Sequence, residues 1–230
     1  GYALDANTTA SFNTAVGYTA LSANTTGHSN VGVGYLALRD VTDGPGNVGI
    51  GTTAGLQITT GDYNVAMGYQ ALYATTTDDN NVAIGRNAMY VNTVGHSNVA
   101  VGSFALDANT SASGNVAVGW SALSANTTAG TNTAVGYAAL ATNTTGASNV
   151  AVGGSALNLN TTGDGNVGIG NNVLDANTTA DGNTGIGNLS LSTNTTGASN
   201  TAVGQNSSFA NTTGGNNLAL GLNASYYNVT

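Results

Sequence analysis

The groups in this sequence that could move a proton or hold a metal are few and widely spaced. Among 230 residues there are two His, two Arg, ten acids and no Cys. Without Cys there is no thiolate nucleophile, disulfide framework or zinc–thiolate site, and a Cys-free chain fits an exported protein. His28 and His96 each stand in Gly-His-Ser-Asn, while Asp43, Asp62, Asp78, Asp79, Asp164 and Asp181 are scattered among turn-forming residues. No Ser-His-Asp arrangement, carboxylate pair or Gly-Gly-x-Gly-x-Asp calcium repeat emerges from them. The expectation is a protein that is not an enzyme, with no catalytic, cofactor-binding or metal-ligating residue. The net charge is −8, and Arg39 and Arg86 are the only strong cations. Binding to nucleic acid, which depends on cations that displace counterions from phosphates, is excluded on that ground. No apolar run approaches the roughly 20 residues that span a bilayer, so no membrane insertion by this segment is expected.

What the sequence has in place of a reactive constellation is a repeat, and the repeat dictates the elements. The pentad Asn-(Val/Thr/Leu)-(Ala/Gly)-(Val/Ile/Met/Leu)-Gly begins at Asn13, Asn30, Asn47, Asn64, Asn81, Asn98, Asn115, Asn132, Asn149, Asn166, Asn183, Asn200 and Asn217. Each interval is 17 residues, and with Asn as position 0 every copy has Gly at +4: Gly17, Gly34, Gly51, Gly68, Gly85, Gly102, Gly119, Gly136, Gly153, Gly170, Gly187, Gly204 and Gly221. A typical second half reads Ala-Leu-x-x-Asn-Thr-Thr-Gly, as in residues 20–27 and 156–163. Seventeen residues are too few for a helix-turn-helix repeat, and Gly, Asn and Thr disfavour helix. Short strands between turn residues are expected instead. The fold class predicted is all-β: a parallel β-solenoid of about 13 coils, spanning residues 1–230 as a single uncapped repeat array and forming a segment of a longer fibrous protein.

In this reading each coil has a strand at the pentad, a Gly corner, a second strand around Ala-Leu and a turn at Asn-Thr-Thr-Gly. Coils advance about 4.8 Å, giving a rod roughly 65 Å long. Identical Asn side chains stack into an amide ladder, and the Gly serves a corner with positive φ or a close approach of another chain. Alternation along the strand places +1 and +3 on one face and +2 on the other. If +1 and +3, such as Val99 and Val101, fill the interior, an Ala/Gly strip faces out. In the opposite arrangement the exposed stripe is aliphatic. Either way one face calls for a partner.

Asn-Val-Ala-Val-Gly at 98–102 and Asn-Val-Ala-Ile-Gly at 81–85 resemble the head repeats of YadA-like trimeric autotransporter adhesins. The longer NTAVGYAALATNTTG at 132–146 is similar to repeats of bacterial and phage tail-fibre-type proteins. The resemblance covers nearly the whole chain and implies a left-handed β-roll, three chains about an axis and an extracellular adhesive or fibrous role. The period here is longer than the usual head repeat, and no coiled-coil stalk, neck or anchor accompanies it.

Three further columns carry possible surface chemistry. Position +11 bears an Asn-x-Ser/Thr sequon at Asn7, Asn24, Asn109, Asn126, Asn143, Asn160, Asn177, Asn194, Asn211 and Asn228, with more at Asn188, Asn206 and Asn223. Asn and Thr also form such turns without sugar, which is the favoured reading, although an acid precedes Asn7, Asn109 and Asn177 by two residues. Tyr18, Tyr35, Tyr69, Trp120 and Tyr137 share position +5, for stacking on sugars or for packing between coils or chains. The Thr pair at +12 and +13 suggests an ice-binding array, but adjacent residues are expected on opposite faces, which weighs against it. The functional expectation is an extracellular structural or adhesive fibre rod on a cell surface or virion. Its partners are further copies of itself, as a homotrimer, and a host-surface or glycan ligand. The alternative is a self-assembling filament with glycans on the Asn-Thr-Thr turns.

Overall fold

A computed structural model describes residues 1–227 and contains thirteen three-residue parallel strands, one per coil. The chain divides into two compact units, Gly1–Gly114 and the part from Asn115 onward. The first holds β1 (Thr14–Val16), β2 (Val31–Val33), β3 (Val48–Ile50), β4 (Val65–Met67), β5 (Val82–Ile84) and β6 (Val99–Val101). The second holds β7 (Val116–Val118), β8 (Thr133–Val135), β9 (Val150–Val152), β10 (Val167–Ile169), β11 (Thr184–Ile186), β12 (Thr201–Val203) and β13 (Leu218–Leu220). Within each unit sequential strands pair in parallel, each residue opposite its equivalent one coil on. Thr14 meets Val31, Ala15 meets Gly32, and Val167 meets Thr184 in this way. The unbroken spacing of 17 fixes that register, because one inserted residue would turn the core face outward. The all-β solenoid expected from the repeat is therefore the fold.

The second strand expected around Ala-Leu does not form. That segment is a chain of turns in which positions +6 and +8 have positive φ, for example Thr19 at 49° and Leu21 at 51°. A left-handed residue other than Gly costs roughly 1–2 kcal/mol. Burial offsets it, since Leu21, Leu38, Leu72, Leu106, Leu123, Leu140, Leu157, Leu174 and Leu191 at +8 are wholly buried. Inter-coil hydrogen bonds continue around the turns, as in Leu21 N–H to Ala37 C=O at 3.1 Å and Ala23 N–H to Arg39 C=O at 3.0 Å. The backbone is thus satisfied by its neighbour coil without a second strand.

The strand face is the reverse of the first arrangement considered. Position +2 is the inward one: Ala66, Ala83, Ala100, Ala117, Ala134, Ala151 and Ala202 are fully buried. Where Gly replaces Ala the space is taken up, since a Cβ on Gly49 would lie 2.5 Å from Cγ of Leu38. The interior is too narrow for Val at +2, so Val and Ile go outside. The Gly at +4 meets both demands read from the sequence, but the close approach is within the chain. Gly68 has φ +130°, and a Cβ there would sit 2.6 Å from the carbonyl oxygen of Gly85 in the next coil.

Candidate functional site

The residues singled out for chemistry are dispersed by the fold. His28 and His96 are exposed turn residues, and each ring Nδ1 lies 3.3 Å from the hydroxyl of the adjacent Ser. Among the described residues no three His or Asp side chains gather in a way that could hold a metal ion. The acids in the turn column have a structural task. The Asp79 carboxylate accepts the Asp62 N–H at 2.8 Å, and Asp181 accepts the Asp164 N–H at 2.7 Å. Burial, then the nearby charges of Asp79 and Asp43, raises the Asp62 carboxyl above its ordinary value. Burial likewise raises Asp78 and Asp175, and pushes Asp107 up to about 6. The cation Arg39 is tied to Asp40 by a 2.6 Å ion pair, and Arg86 lies over the Phe104 ring at 5.4 Å.

Two amide columns run through the interior. Position 0 stacks coil on coil, but its bonds run mainly from side chain to backbone, with Asn30 Oδ1 accepting the Asn47 N–H at 2.7 Å and Asn30 Nδ2 donating to Gly44 C=O at 2.9 Å. The same pattern recurs at Asn132, whose Oδ1 accepts from Asn149 N–H at 2.9 Å and whose Nδ2 donates to Gly146 C=O at 2.9 Å.

The second column is the sequon position, and here the structure corrects the glycan row. Asn24, Asn109, Asn126, Asn143, Asn160, Asn177 and Asn194 have no exposed surface, and Asn211 has 1%. The Asn160 Nδ2 donates to Asn143 Oδ1 at 2.8 Å and to Gly163 C=O at 3.0 Å, so both its hydrogens are engaged inside the coil. A glycan attaches through that nitrogen, and the folded coil has no room for one. Asn7 is part-buried and bonds Ala10 C=O at 3.2 Å, and Asn228 lies outside the described residues. The additional sequons fall elsewhere on the coil: Asn188 and Asn206 are partly exposed, and Asn223 is exposed.

What remains at the surface is periodic. The outward strand column includes Val16, Ile50, Ile84, Ile169 and Ile186, each more than a third exposed. It is flanked at +5 by Tyr18, Tyr35, Tyr69, Trp120 and Tyr137, each about half exposed. Four of these rings pack between coils: Tyr18 on Tyr35 at 5.7 Å and 13°, and Trp120 on Tyr137 at 4.9 Å and 12°. Tyr18 is also met by the Tyr2 ring, perpendicular to it at 6.3 Å. The spatial signal missed in the sequence was the side of the strand on which Val lies, which a period of two cannot specify by itself.

Comparison of the chain with protein families, with curated proteins and with solved structures finds no match.

Proposed function

We propose that the chain is a non-enzymatic structural rod that works by self-association: an extracellular fibre segment, three copies packed about an axis, displaying or spacing an adhesive tip toward a host-surface or glycan ligand. The observation that carries this reading is the partly exposed aliphatic face of the strands, which repeats from Val116 to Ile186 at +1 and +3 except at Thr133 and Thr184. Partly exposed Val and Ile in such a stripe cost free energy in a lone chain, and a surface with the same coil spacing buries them row by row. Another copy has that spacing. The low density of charge and the repeat's resemblance to fibrous surface proteins support an extracellular setting.

The test is the absolute mass of the native particle by light scattering, set against the mass of one denatured chain. A threefold ratio is the expected result, and a monomer overturns the reading. An open-ended distribution would replace the discrete trimer with a filament. The variant Val135→Asp with Val152→Asp should reduce the assembly to single chains. A trimer that survives it would place the interface on another face.

A further inference from the structure

The fold removes the objection raised against the threonine pair. In the six coils whose pentads begin at Asn115 through Asn200 the sequence at +12 and +13 is Thr-Thr: 127/128, 144/145, 161/162, 178/179, 195/196 and 212/213. The flanking positions +11 and +14 point inward, as Asn160 and Gly163 do, so the chain bulges outward between them. The +12 residues are partly exposed and the +13 residues exposed; both columns lie on the solvent side.

The ribbon is rigid. The hydroxyls of Thr144, Thr161 and Thr195 each donate to the carbonyl of the +12 Thr one coil on, all at 3.0 Å, which fixes their rotamers. The same carbonyl holds the backbone of the pair: Thr161 and Thr162 N–H both donate to Thr178 C=O, at 2.8 and 3.3 Å. Among the described residues the hydroxyls of Thr145, Thr162, Thr179 and Thr196 make no hydrogen bond within the chain, and they remain free for a ligand. No charged residue lies in the two columns of this unit; the nearest are Asp164 and Asp181 in the neighbouring turn column.

We propose that this double threonine column is a binding surface for ice. A regular array of methyl and hydroxyl groups repeating every ~4.8 Å presents apolar patches that cage water and polar groups that anchor it, at one fixed spacing. The ligand that matches is periodic, uncharged and rigid, as an ice face is. Single threonine–water contacts are weak, but rows held in one rigid frame engage together, and the combined affinity exceeds any one contact by orders of magnitude. Position +13 tolerates substitution, because this chain itself carries Asp43, Val94 and Ser111 there.

The experiment uses the 230-residue chain with ice as the probe, measuring the freezing–melting gap by osmometry and the partition of protein into a slowly grown ice hemisphere. The parent is expected to widen the gap and to be enriched in ice. Thr162→Asp with Thr179→Asp, copying the residue already present at 43, should lower the enrichment about tenfold or more, since a break in the middle of a multivalent array forfeits the joint contact. Its melting temperature and circular dichroism should match the parent's. The pair Val135→Asp and Val152→Asp should leave ice enrichment intact, which separates this surface from the self-association face. A parent excluded from ice overturns the proposal, as does a threonine variant enriched like the parent. Exclusion from ice accompanied by pelleting with microcrystalline cellulose would reassign the ribbon to a crystalline polysaccharide.

Discussion

Two stretches of the solenoid build the same column of the core from opposite chemistries. At +11 the coils from Asn126 to Asn211 form an unbroken amide ladder, each Nδ2 donating back to the preceding Oδ1 at 2.8–3.2 Å. In three successive coils of the first unit the same position is taken by Val41, Ile58 and Thr75, the first two of them fully buried hydrophobes. The two ends of this apolar stretch differ. At one end Thr75 supplies a hydroxyl that accepts from Asn92 Nδ2 at 3.2 Å while donating to Asn92 C=O at 3.0 Å. At the other, Val41 offers nothing, and the Asn24 Oδ1 is buried without a partner. The difference teaches that the coil needs the volume at +11, and that a polar ladder is one way to fill it. The cost of the polar way is concentrated where the ladder stops, because each interior amide is satisfied by the next.

The backbone frame common to both stretches should be the most sensitive point. Gly68→Ala in the apolar stretch and Gly170→Ala in the ladder each drive a Cβ to 2.6 Å from the carbonyl oxygen of the next coil's Gly. Both should cost at least about 3 kcal/mol, by close contact and by a φ that Ala resists. Equal losses by urea unfolding would confine the contrast between the stretches to the +11 column, and unequal ones would extend it to the frame.

Breaking the ladder should cost more than trimming its apolar counterpart. Asn160→Ala strands the Asn143 Oδ1 and leaves a void, a loss of about 3 kcal/mol. Ile58→Val removes one methylene and should cost about 1 kcal/mol. Comparable melting temperatures for the two variants would contradict the account of the ladder as a mutually satisfied unit.

The pH dependence follows from half-buried carboxyls outside the ladder. The Asp107 carboxyl is raised from 3.8 to about 6 by burial, so the fold prefers it protonated. Its contribution to stability is fully present below about pH 4 and is lost as pH rises through 6. Asp62, Asp78 and Asp175 are shifted in the same direction. The melting temperature should therefore rise on acidification from pH 7 to pH 4. Asp107→Asn should remove part of that slope, on the order of 1 kcal/mol once partial exposure has screened the effect. A slope that Asp107→Asn leaves unchanged would assign the effect to the other carboxyls.

The smallest effect is expected at the ladder's ragged end. Val41→Asn supplies the donor that Asn24 Oδ1 lacks, but it sets its own Oδ1 against Ile58. The orphan is moved on by one coil, and the net change should lie within about 1 kcal/mol. A gain larger than that would show that the buried Asn24 oxygen is costlier than an ordinary unsatisfied carbonyl.

Much of this molecule was legible in its residues because a strict period leaves few solutions. The interval of 17 and the Gly at +4 determined a one-chain stack of in-register coils, since only a backbone repeating itself places Gly17 and Gly34 in identical surroundings. The stacking of Asn at position 0 followed from the same identity of neighbours. Local pattern could not determine what depends on the cross-section of the coil. The Ala-Leu segment alternates like a strand, yet Leu21 and its equivalents turn into the left-handed region because the narrow interior rewards their burial more than it penalises their φ. Val99 and Val101 could line either face by alternation; the space left by Leu at +8 decided that Ala100 goes in and they go out. Asn160 within Asn-Thr-Thr reads as a surface turn, and only closure of the coil made it a core residue and left Thr161 and Thr162 together at the surface.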